Sequence, residues 1–162
     1  MPGQPSPEQI RNMVRKLLEE RFGLKAHMSE REFSVFALTV EKSPPKLMKS
    51  DPEGGNFMRV YGKQGADGQL TMQFANTTMV DFVGLMMNFV QSHMIVDETG
   101  LKGRYDFGMT MPASAVHQGT GLEDDPDTVY AHAVQQLGMQ FVLKKKPMPV
   151  VVVDHLDRPS AN

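Results

Sequence analysis

Five histidines, nineteen carboxylates and no cysteine set the chemistry open to this chain of 162 residues. Without a thiol there is no disulfide framework, no thiolate metal site and no cysteine nucleophile. The histidines are His27, His93, His117, His132 and His155, and no two stand four apart, so the helical zinc-hydrolase pattern does not occur. The segment Asp154-His155-Leu156-Asp157 surrounds a histidine with acids, and an aspartate that orients a histidine is half of a hydrolytic triad. No Gly-x-Ser-x-Gly elbow supplies the nucleophile. Ser92 and Ser114 enter only as neighbours of His93 and His117. His117 and His155 are therefore the candidate bases, and Asp154 and Asp157 the acids that would orient them.

The densest acidic run is Glu123-Asp124-Asp125-Pro126-Asp127. Hard cations take several oxygen ligands at short range. Glu123, Asp124, Asp125 and Asp127 are thus candidate metal ligands, with calcium as the cofactor they would hold, although the run lacks EF-hand spacing. The same acids would complement the macrodipole of a helix starting here, for roughly 0.3–1 kcal/mol each. A cation in this run, with His117 or His155 as base, would activate water against an ester or lactone.

Two further sets could hold a ligand. The chain has 14 methionines, and Met79, Met86 and Met87 gather on one predicted helix. Methionine surfaces adapt to varied apolar partners, so an acyl chain or a partner helix would fit there. The same positions coincide with the stripe expected to face a core. Asp97 and Asp106 bracket a turn containing Gly100 and Gly103. One reading is a ligand-binding loop with a carboxylate pair. The other is a tight hairpin that needs positive φ at glycine, steadied by the aspartates through local hydrogen bonds.

The elements that would position these residues follow from periodicity. Ser6-Pro7-Glu8-Gln9 carries a capping box with proline at the first helical position. Ile10, Met13, Val14, Leu17, Leu18 and Phe22 then recur at helical spacing, and Gly23 ends the run. Alternation predicts a strand at Leu24–Met28, a polar turn at Ser29–Glu32 and a strand at Phe36–Val40. Residues 43–69 read as a long loop with one short strand around Phe57–Tyr61. Leu70, Met72 and Phe74 form a strand; Thr77 or Thr78 caps a helix through Val90; strands follow at Met94–Val96 and Tyr105–Met111. Residues 112–124 are a loop. A third helix starts at Asp125, Pro126 and Asp127 and stops at Gly138. It leads to a strand at Met139–Leu143, a turn at Lys144–Pro149 and a last strand at Val150–Leu156. Phe22-Gly23-Leu24 is echoed by Leu137-Gly138-Met139, 115 positions on. The order is αββ–βαββ–αββ with an internal αββ echo, an α+β fold with three helices on a mainly antiparallel sheet.

Length and composition fit one domain over residues 1–162, with 40% hydrophobic side chains for a core. Lys and Arg number 17 against 19 Asp and Glu, so no basic stripe marks a nucleic-acid partner. No apolar run approaches the roughly 18 residues of a membrane span. The start, Met1-Pro2-Gly3-Gln4-Pro5, has neither the charged nor the apolar region of an export signal. A cytoplasmic protein and a chain beginning downstream of such a signal are both consistent with that.

Three blocks carry a resemblance. They are Leu17–Phe22 with His27, Phe36–Lys42 and Pro45-Lys46-Leu47; Val96-Asp97-Glu98-Thr99-Gly100-Leu101-Lys102-Gly103-Arg104-Tyr105-Asp106-Phe107; and Val153-Asp154-His155-Leu156-Asp157-Arg158-Pro159-Ser160-Ala161-Asn162. Together they resemble the soil-associated domain of unknown function that is multiplied in Acidobacteria. The resemblance implies an exported or periplasmic protein. Some such proteins carry the domain behind a membrane-bound metallopeptidase of the antibiotic-sensor type. Family members usually have a further stretch, with an export signal, before the first helix seen here. The family has no established catalytic residues to transfer. The functional expectation is a binding or assembly domain that engages a peptide, a partner domain or a small apolar ligand. The alternative is a small calcium-assisted hydrolase acting on an ester or lactone with an acyl chain.

Overall fold

The computed structural model describes residues 5–41, 44–51, 53–54, 58–90, 92–115 and 126–158. Helix α1 (Pro7–Phe22) starts as its sequence dictates. The Ser6 Oγ accepts from the Gln9 N–H at 3.2 Å, and the Gln9 side chain accepts from the Ser6 N–H at 2.7 Å. Gly23 closes the helix in the left-handed conformation, φ 56°, and its N–H donates to the Leu18 carbonyl. A Cβ at Gly23 would also collide with the Asp157 carboxylate.

Strand β1 (Lys25–Val40) runs unbroken for 16 residues. The expected turn at Ser29–Glu32 does not form, and the two strands on either side of it are one. No glycine, proline or asparagine in that quartet supplies turn dihedrals. The charged side chains are accommodated because this stretch of strand faces water. The second half of the echo behaves alike. Gly138, φ 75°, is followed by the single 17-residue strand β7 (Met139–His155), which passes straight through the expected turn at Lys144–Pro149. The echo is therefore helix, left-handed glycine, long strand, and the two αββ hairpins are each one strand.

Between them lie β2 (Met48–Lys49), β3 (Arg59–Gln64), β4 (Gln69–Thr77), α2 (Met79–Met86), β5 (Met94–Asp97), β6 (Tyr105–Pro112), a 3₁₀ turn at Ala113–Ala115 and α3 (Pro126–Gln135). The strands form two sheets, ordered β5-β1-β7 and β2-β6-β4-β3. The second is wholly antiparallel, whereas β5 pairs parallel with β1, Val35 opposite Met94 through Leu38 opposite Asp97. The class is α+β, three helices with mostly antiparallel strands. The segment between β5 and β6 is not the expected hairpin, since its two strands belong to different sheets. Gly100 and Gly103 nonetheless take positive φ, 68° and 105°.

The chain divides into two units. Unit 1 comprises residues 1–33 and 146–162; unit 2 comprises residues 34–145, so β1 and β7 each contribute to both. Unit 2 holds the core. Phe74 stacks on Phe107 with ring centroids 4.8 Å apart, and Phe82 meets both edge-on at 5.3 and 5.2 Å. Met79, Val83 and Met86 of α2, Tyr130, Ala133 and Val134 of α3, and Met109 and Met111 of β6 pack into the same core. Unit 1 is different. No residue of α1 is fully buried, and Ile10 and Val14 are 48% and 49% exposed. Helices α2 and α3 bury their stripes as periodicity predicts; α1 presents half of its own to water.

Candidate functional site

The half-open stripe of α1 has a counterpart in its own unit. Leu24, Ala26 and Met28 alternate across the chain's entry into β1 and so share one face. With Val151 of β7 they form the floor of a groove of about 470 Å³, and Ile10, Val14 and Leu18 of α1 form its wall. The remaining lining residues, Arg11, Arg15, Glu19 and His27, are polar. Sequence made this possible twice over: helical spacing sets the wall and alternation sets the floor.

Part of the polar lining is engaged within the unit. Arg15 Nε donates to Glu19 at 2.9 Å, one helical turn on. His27 Nδ1 lies 2.8 Å from Asp154 Oδ2. The Asp157 N–H donates to the Phe22 carbonyl at 2.7 Å, which ties the end of β7 to the end of α1. Asp157 also reaches His155, Oδ1 to Nε2 at 3.0 Å. Two histidine–aspartate pairs thus lie in unit 1, at exposed positions.

The candidate catalytic residues fall as follows. Asp154 engages His27 rather than His155, because His155 points to the other side of the strand and its partner is Asp157, beyond the strand's end. His117 lies outside the described residues. The partner that sequence reasoning missed is His27, 127 positions from Asp154; only the pairing of β1 with β7 brings them together.

The candidate ligand-binding residues are dispersed in unit 2. Met79 and Met86 are each 1% exposed and packed in the core, so neither offers a surface to a ligand; Met87 is exposed. Asp97 accepts from the Thr99 N–H and hydroxyl at 2.9 and 2.7 Å, a local turn. Asp106 accepts from the Ser50 hydroxyl at 2.5 Å and the Asn76 N–H at 2.7 Å. The Asn76 N–H first, then the Ser50 hydroxyl, hold the Asp106 carboxyl below its ordinary range. Each aspartate therefore steadies its own turn, Asp106 at the left-handed Asn76 where β4 and β6 shift register. They do not act as a pair.

Of the acidic run, Glu123, Asp124 and Asp125 lie outside the described residues. Asp127 accepts from the Ser92 hydroxyl. His93 Nδ1 is 2.6 Å from the same oxygen. The order is acid, serine, histidine, not the acid, histidine, serine of a triad. Among the described residues, no group of three or more histidines and carboxylates is placed to hold a metal ion. No described helix is long and apolar enough to cross a membrane.

Fold and groove together describe an α+β protein with one well-packed unit and one that keeps an apolar groove open. The chain belongs to DUF3738, a family of proteins of unknown function, whose pattern matches residues 1–156. No curated protein and no solved structure matches it.

Proposed function

We propose that the protein is a binding domain whose unit 1 groove holds a small apolar ligand. The groove supports this reading by its volume and lining. Ligand sites are mostly apolar clefts of roughly 300–1,000 Å³ with a few polar groups, and this groove, at about 470 Å³, is lined mainly by apolar side chains with four polar ones among them. Ile10 and Val14 keep about half their surface in water. Covering that half is worth on the order of 1 kcal/mol per side chain.

The test is fluorescence of Nile red, a neutral apolar dye, titrated with the protein. The wild type should bind it and brighten it. Val14→Glu, at a half-exposed wall position, should weaken binding at least about tenfold by placing a charge on an apolar surface. Met87→Glu, on the exposed side of unit 2, should leave it unchanged. Equal binding by Val14→Glu and wild type contradicts the reading, as does no binding at all.

His27 favours a second reading. His27 is among the residues that line the groove, and Asp154 holds one of its ring nitrogens, the arrangement by which an acid orients a general base. Among the described residues His27 has no other hydrogen-bond partner. The nucleophile would be water, and the substrate an ester or lactone whose acyl chain fills the groove. Hydrolysis of a p-nitrophenyl acyl ester that disappears in His27→Gln supports this; undiminished turnover in His27→Gln contradicts it.

A further inference from the structure

We propose that the ligand of the unit 1 groove is an amphiphile with a single negative charge at its polar end, received by Arg11; this deepens the binding reading and rests on it. Four of the lining residues are ionisable, Arg11, Arg15, Glu19 and His27. Glu19 neutralises Arg15 at 2.9 Å, and Asp154 is bonded to His27 at 2.8 Å. Arg11 alone has no ion pair or hydrogen bond among the described residues. Glu8, one turn earlier, makes no ion pair with it.

The groove thus has an apolar floor and, among its lining side chains, one guanidinium without a partner among the described residues. A guanidinium presents a planar fork of donors that matches a carboxylate in two parallel hydrogen bonds. A cationic head would meet Arg11 as a like charge. A neutral head would leave it in water, neither helped nor hindered. An apolar tail with a carboxylate head satisfies both features at once, and its charge pairs at the rim where the tail enters the groove.

Displacement of Nile red by three ten-carbon probes, all kept below their aggregation limits, tests the head group: decanoate, 1-decanol and decyltrimethylammonium. Decanoate should displace the dye at about fivefold lower concentration than 1-decanol, the scale of a partly exposed ion pair, and the cation should be weakest. Arg11→Gln should erase the difference between acid and alcohol. Arg11 is an exposed helix residue and glutamine is a comparable helix former, so this variant keeps the fold. Arg11→Lys should retain part of the preference, and added salt should diminish it in the wild type. Equal displacement by acid and alcohol, or a preference that survives Arg11→Gln, overturns the charge inference and leaves the groove reading intact. Failure of all three probes to displace the dye overturns both.

Discussion

Asp106 shows how one side chain orders a region that has no regular hydrogen-bond ladder. Between Phe74 and Thr77 the register of β4 against β6 shifts, and Asn76 takes φ 55°. The N–H freed there donates to Asp106, while Arg104 donates to the Asn76 carbonyl at 2.7 Å. A carboxyl held below its ordinary pKa binds protons more weakly in the folded state than in the unfolded one. Its contribution is complete above about pH 4 and is lost as pH falls through the lowered folded value. Asp106→Asn should therefore lower stability at pH 7 by about 1 kcal/mol, and the penalty should shrink towards pH 3 in urea midpoints measured across that range. Tyr130 gives the opposite sign at the alkaline end. Burial pushes its hydroxyl up to about 12, so stability is kept below pH 10 and lost as pH rises towards that value. Tyr130→Phe should unfold at higher pH than the wild type. Neither partnership is legible in the sequence: Asp106 looks like half of a carboxylate pair with Asp97, and its true partners lie 56 and 30 positions away.

At the scale of elements, the helices were legible and the strand lengths were not. The capping box at Ser6 marks one helix start and the pair Thr77-Thr78 brackets another, which the structure places at Thr78 with a capping box to Asp81, because such signals are local. The run Lys144–Pro149 has the composition of a turn, yet lies within β7. Lys144 pairs with Glu98 at 2.6 Å, and the prolines are tolerated because β7 is an edge strand. The Gly138 and Gln140 carbonyls face β1, accepting from the Glu41 N–H at 2.9 Å and the Thr39 hydroxyl at 3.5 Å. Pro147 and Pro149 lack the N–H groups that an edge strand presents, which blunts the edge against another chain's strand. Replacing both with valine should promote self-association, read as a concentration-dependent rise in sedimentation coefficient. At the other glycine stop, Gly23→Ala must hold alanine at φ +56° beside the Asp157 carboxylate. The left-handed conformation alone costs about 1–2 kcal/mol, so the variant should lose helical circular dichroism at lower temperature.

For the whole molecule, stability is expected to be uneven. Unit 2 encloses the aromatic trio and the methionines; Phe82→Ala there should cost about 3–5 kcal/mol. Unit 1 has no buried residue on its helix, so amide exchange over residues 7–22 should be faster than over β4 and β6 by orders of magnitude. Periodicity marked α1 as amphipathic as plainly as α2 and α3, but not whether its stripe would be covered. That depends on what packs against it, which is a property of the assembled fold. The open stripe is what gives the groove its wall, and the account depends on the groove taking a ligand. Amide chemical-shift mapping of the intact protein with decanoate tests this most directly. Saturable shifts are expected over Ile10–Leu18, Leu24–Met28 and around Val151, with unit 2 unmoved. Shifts confined to unit 2, or none at saturating probe, would contradict it.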